Sequence, residues 1–126
     1  MIGNISAVVL AKNNEATIQN TLKALSQFED VVVYDNGSTD STIQIAKTFA
    51  NVHLIQGEFN GFGWTKNRAA SFTKNDWVLV VDSEEVVDDA LFRVLKSKKL
   101  DLQTVLMIDN YSVLYFPLIF QFLNHW

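Results

Sequence analysis

No cysteine occurs in the 126-residue chain, which excludes disulfides and thiolate metal sites and agrees with a reducing compartment. Proline is nearly absent as well. The single one interrupts the late apolar stretch VLYFPLIFQFL (113–123), which is too short to span a bilayer. Nor is there a surplus of positive charge. The net charge of −4 excludes a non-specific nucleic-acid binder, because a phosphate backbone demands clustered Lys and Arg. The opening MIGNISAVVLAKNN has no basic segment before its apolar run and no small-residue cleavage site, so a secretory signal is not expected. No repeat, low-complexity tract or linker appears. One domain over 1–126 is therefore expected, with its core in about 1–100 and an apolar segment over 101–126. That segment suits a contact with a second copy or another partner.

What the chain does have is apolar residue, 48% against 19% charged, a globular balance. A chain of this size removes roughly two-thirds of its unfolded surface from water. Five runs read as strands: ISAVVLA (5–11), DVVVYD (30–35), VHLI (52–55), WVLVVD (77–82) and TVLMID (104–109). The first, second and fourth are nearly continuous Val, Leu and Ala. Such runs suit strands covered on both faces, as in a parallel sheet. Between them, Ile18, Leu22 and Leu25 form one helical stripe within 14–27. Ile43, Ala46 and Phe49 form another, after candidate N-caps Ser38, Thr39 and Asp40. The stretch 63–72 predicts a shorter helix, and Val87, Leu91 and Leu95 repeat every four residues after the fourth strand. Strand and helix in alternation predict an α/β sheet with helices on both faces.

Ligands of such sheets sit beyond the carboxyl ends of the strands. The turns there are KNNEA, DNGSTDS, QGEFNGFGWTKNR and DSEEVVDD, all polar, whereas SQFED and FTKND at the other ends look like ordinary connectors. Function is therefore expected on one edge of the sheet. Asp82 and Glu84, two apart at a strand end, form a donor pair that Mg²⁺ or Mn²⁺ favours. The same acids also suit the positive end of a following helix. Asp35 ends the second strand, and Gly37 can turn the chain sharply beneath a ligand. Asp35 then either accepts hydrogen bonds from that ligand or forms an Asx-turn, with Ser38 or Asp40 capping the helix. The loop NGFGWTKNR brings Lys66 and Arg68 close to a helix start, which suits a diphosphate or a solvated surface. Neither the P-loop nor the dinucleotide spacing is present. His53 and His125 are isolated and expected to be structural.

SAVVLAKNNEATIQNTLKAL, VVVYDNGSTDSTIQIAKTF, NGFGWTKNRAA and DWVLVVDSEEVV, in this order and spacing, resemble family-2 glycosyltransferases of the GT-A fold. They are most similar to the branch of bacterial lipopolysaccharide core-biosynthesis glucosyltransferases. The resemblance covers about 5–87 and implies a Rossmann-like, mostly parallel GT-A sheet, truncated after the nucleotide-binding half. It implies that Ala11, Asn13 and Glu15 border the base and ribose of a nucleoside-diphosphate sugar, with a UDP-sugar favoured. It places Asp35 and Gly37 at the nucleoside, Lys66 near the diphosphate, and Asp82 with Glu84 at a Mg²⁺ or Mn²⁺ ion. Asn36 stands where many members carry a second aspartate, and Glu84 where aspartate is usual. The implied acceptor is a glycan or lipid-linked molecule such as lipopolysaccharide core. The location implied is the cytoplasm, with peripheral association at the inner face of the membrane. No acidic residue near the end matches the family's catalytic base, so the alternative expectation is a catalytically incomplete nucleotide-binding module.

Overall fold

The computed structural model describes residues 2–83 and 112–115, by backbone alone at Asp82 and over 112–115. Its sheet is built from β1 (Ile5–Ala11), β2 (Val31–Asp35), β3 (Val52–Gln56), β4 (Trp77–Asp82) and β5 (Ser112–Tyr115). Three helices connect them: α1 (Ile18–Ala24), α2 (Thr42–Ala46) and α3 (Phe62–Ala70). The spatial order is β3-β2-β1-β4-β5. The first four strands are parallel, and β5 runs antiparallel to β4. The chain winds from β1 out to β3 and returns to place β4 on the other side of β1. Strand order therefore reverses beside β1, the position where open α/β sheets leave a crevice.

Alternation along the strands explains their unbroken apolar composition. Ile5, Ala7, Val9 and Ala11 of β1 pack with Val31, Val33, Leu79 and Val81 against Ile18, Leu22 and Leu25 of the α1 segment and Ala46 of α2. The residues between them face the other way. Val8, Val32, Tyr34, Val78 and Val80 meet Ala69 and Ala70 of α3. Helices thus cover both faces, and each fully buried Val, Leu or Ile contributes roughly 1.5–3 kcal/mol over its exposed state.

The first four strands form where they are expected, within one residue at either end. The fifth expected strand, 104–109, and the stripe over 87–95 lie outside the described residues, as does the rest of the apolar 101–126 segment apart from β5. That last strand falls in a stretch the sequence reading leaves without an element. The helices are shorter than their stripes. α1 begins at Ile18 rather than Asn14 because the backbone of 13–15 hydrogen-bonds to the turn after β2. Beyond α1 the chain tightens into i→i+3 bonds, Leu25 N–H to Leu22 O and Ser26 N–H to Lys23 O. Among the described residues no helix is long and apolar enough to cross a membrane.

Candidate functional site

Two turns at the carboxyl ends of β1 and β2 are zipped together. Asn13 adopts the left-handed region, φ 53°, which Asn tolerates better than most residues. Its N–H donates to Ser38 Oγ at 2.8 Å, and its Oδ1 accepts from Thr39 N–H at 2.8 Å and Asp40 N–H at 3.4 Å. Asn14 N–H donates to Thr42 Oγ1 at 2.8 Å. Glu15 joins from both ends: its N–H donates to Asp40 Oδ2 at 3.2 Å, and its Oε2 accepts from Ser41 N–H at 2.9 Å.

Within the second turn, Asp35 is buried, 1% exposed. Its Oδ2 accepts from Gly37 N–H at 3.0 Å and Ser38 N–H at 2.8 Å, and its Oδ1 from the Ser38 hydroxyl. This is the geometry of an Asx-turn, and Gly37 at φ 115° permits it. Ser38 does not cap α2, contrary to the sequence expectation. Its hydroxyl bridges Asp35 and Asn13, which pulls it away from the helix start. Asp40 does take a capping part: its Oδ1 accepts from the N–H and hydroxyl of Thr42, the first residue of α2.

The Thr42 hydroxyl bond holds the Asp40 carboxyl below its ordinary value of 3.8, with burial opposing and backbone donors of Thr42 and Glu15 assisting. A lowered folded pKa means the stabilisation is complete above 3.8 and fades as pH falls through the lowered value. Thermal melts of Asp40→Asn should therefore show a shallower acid loss of stability than the parent chain over that range. Identical slopes would exclude Asp40 as a contributor.

The zipped turns form one wall of a cleft of about 400 Å³, lined by Leu10, Ala11, Lys12, Asn36, Phe59 and Phe62. Asn36 N–H continues the sheet ladder to Ala11 O at 3.0 Å, which fixes the Asn36 backbone at the cleft. Asn36 Oδ1 is buried and has no hydrogen-bond partner among the described residues. A buried acceptor without a donor is costly and uncommon in folded chains. Lys66, on α3, lies with its ammonium 5.9 Å from the centre of the Phe62 ring. Asp82 ends β4 opposite Leu10 in the β1 register, so its backbone sits at the same sheet edge as the cleft. Glu84 lies outside the described residues.

Of the residues expected at a ligand, Ala11 lines the cleft directly, and Lys66 approaches it through Phe62. Asn13, Glu15 and Asp35 hold the turns through their side chains, and Gly37 does so through its backbone. The sequence reading takes in Lys12 only within the span 11–15 and Phe62 only as an aromatic of the loop, passes over Phe59, and notes Asn36 only as a departure from pattern. The available signal was position, since all four border the carboxyl ends of predicted strands. Among the described residues no three His, Asp or Glu side chains gather as a metal cluster.

Comparison with known proteins agrees with this arrangement. The sequence profile of glycosyl transferase family 2 matches residues 6–112. An uncharacterized glycosyltransferase of Rickettsia typhi is 38% identical over 88 residues, covering 69% of this chain and 30% of that protein. The lipopolysaccharide core biosynthesis glycosyltransferase LpsC of Rhizobium meliloti is 24% identical over 95 residues, covering 72% of this chain and 35% of that one. Among solved structures, glucosyl-3-phosphoglycerate synthase from Mycobacterium tuberculosis, in complex with Mn²⁺, UDP and glucosyl-3-phosphoglycerate, superposes with a TM-score of 0.56. It shares 28% identity over 63% of this chain and 33% of its own. The chain thus spans about a third of the length of the curated relatives it matches.

Proposed function

This chain belongs to glycosyl transferase family 2, and on that premise we propose that its cleft holds the nucleoside of a nucleoside-diphosphate sugar, UDP-sugar foremost. The observation that carries this reading is the buried Asn36 Oδ1 at the cleft, an acceptor awaiting a donor. The imide N–H of uracil is such a donor. The solved relative with UDP bound supports the same base.

Each residue at the edge then has a part. Ala11 and Lys12 close the end of β1 beneath the nucleoside. Asn13, Glu15, Asp35 and Gly37 keep the two turns in register, so that the Asn36 backbone stays fixed beside the base and its amide has only a side-chain turn to make. Lys66 directs its ammonium toward the diphosphate. Asp82 and Glu84 suit Mg²⁺ or Mn²⁺, because such ions take one or two carboxylates and complete their shell with water and substrate phosphates. That ion would neutralise charge gathering on the departing diphosphate.

In the transfer itself an acceptor hydroxyl attacks the anomeric carbon. The bond to the diphosphate oxygen breaks, the diphosphate departs with the electron pair, and the hydroxyl proton passes to a base. No described side chain is assigned as that base. The acceptor proposed is a cell-surface glycan such as lipopolysaccharide core, free or lipid-linked, for which the likeness to LpsC is the support. With an acceptor of that kind, the location proposed is the cytoplasm, at the inner face of the membrane.

A thermal-shift panel of UDP, UDP-glucose, CDP and GDP, with and without Mn²⁺, tests the reading. Ligand at 100 times its Kd stabilises by about 2.7 kcal/mol, which raises the melting point by several degrees. UDP and UDP-glucose should do so, and more strongly with Mn²⁺. No shift with any nucleotide would refute the assignment.

A further inference from the structure

Phe62 is 68% exposed and Phe59 43% exposed, yet the loop that carries them is firmly held. Tyr34, almost wholly buried, donates from its hydroxyl to Glu58 O at 2.7 Å. Gly57 N–H donates to Asp35 O at 3.0 Å, and Asn60 N–H to Thr65 Oγ1 at 3.1 Å. A Cβ on Gly57 would stand 2.7 Å from Tyr34 Cζ, so only glycine lets the loop lie against that ring. Gly61, at φ 84°, then turns the chain into α3. The two exposed rings meet edge to face, with centroids 5.1 Å apart and planes at 82°. A fixed loop that presents aromatic rings to water is arranged for something other than its own core.

The direction in which they are presented narrows the choice. Both rings line the cleft that also contains Asn36 and Lys12. We infer that Phe62 is the stacking platform for the donor's nucleobase, with the hydrogen-bonding edge of the base turned to the Asn36 amide. This rests on the donor site proposed above and adds a residue that determines base affinity. A base and a phenyl ring attract through their flat faces, and the ring needs no rearrangement here because Phe59 already backs it. The Lys66 ammonium, 5.9 Å from the ring centre, brings the cation for the diphosphate beside the base contact.

Calorimetry of the full chain with UMP and with UDP, for the parent, Phe62→Ala and Phe62→Tyr, tests the inference. Phe62→Ala should weaken both ligands by the same factor, about 10- to 100-fold, whereas Phe62→Tyr keeps parental affinity. In the parent, the uracil H5 and H6 proton resonances should move upfield on binding, a ring-current shift that Phe62→Ala removes. The ligand-free melting point should stay unchanged, since the side chain is exposed. Unchanged UMP affinity in Phe62→Ala, or a loss confined to UDP, would overturn the platform. A parent chain that binds neither nucleotide would overturn the donor site itself, a different failure from a parent that binds and a variant that binds equally.

Discussion

Asp82→Asn is expected to abolish the gain in UDP-sugar affinity that Mn²⁺ confers, a loss of about 100-fold or more, as befits a metal contributing several kcal/mol. The argument begins with position. Asp82 closes β4 opposite Leu10, and the next two residues of the chain after Leu10, Ala11 and Lys12, line the cleft. A carboxylate-bearing residue is therefore delivered to the edge where the diphosphate is proposed to lie. Asparagine keeps nearly the same shape and removes the charge. A hard divalent cation depends on anionic oxygen, so the isosteric change tests ligation rather than packing. The internal control is UMP without metal, which should bind Asp82→Asn and parent alike because the base cleft is untouched. Calorimetry with and without Mn²⁺ separates the two quantities. Equal metal dependence in parent and variant would return Asp82 to the other role open to it, an acid at the start of a helix.

How far the sequence foretold this arrangement depends on the range of the interactions involved. The strands β1, β2 and β4 are legible because burial on both faces leaves no room for alternation, and composition alone reports it. The Ile18, Leu22 and Leu25 stripe is legible for the same reason, since one helical face meets one core. Strand order is not, because nothing local states which neighbour β4 will choose. Ser38 illustrates the limit most sharply. Four residues before the start of α2 it reads as a cap, yet its hydroxyl accepts from Asn13, 25 positions earlier in the chain. Phe59 and Phe62 show the same limit in part: their place after a predicted strand is legible, but that both rings line one cleft is decided by the fold. β5 is not legible, because SVLY leads into a longer apolar run whose pattern does not distinguish a strand from a buried helix.

Asp35→Ala is expected to destabilise the ligand-free chain by about 2–4 kcal/mol, by removing an acceptor that serves charged hydrogen bonds worth roughly 1.5–3 kcal/mol each. The three donors concerned are Gly37 N–H, Ser38 N–H and the Ser38 hydroxyl. They do not sum simply, because they share one carboxylate and because water can reach part of the turn once it opens. The loss should not stay local. Ser38 accepts from Asn13 N–H while donating to Asp35, so freeing the hydroxyl loosens the zip between the turns as well. Asn13→Ala and Asp35→Ala combined should therefore cost less than the sum of the single changes, with a coupling of about 0.5–3 kcal/mol. Urea unfolding reads both quantities: the midpoint falls while the m-value holds, since the exposed surface on unfolding is unchanged. A ligand-free midpoint equal to the parent's would mean the turn stands without its carboxylate, and Asp35 would then be free to serve the nucleoside directly. A fall in stability together with weaker UMP binding in the same variant would instead place Asp35 one step back, as the residue that holds Asn36 in position to meet the base.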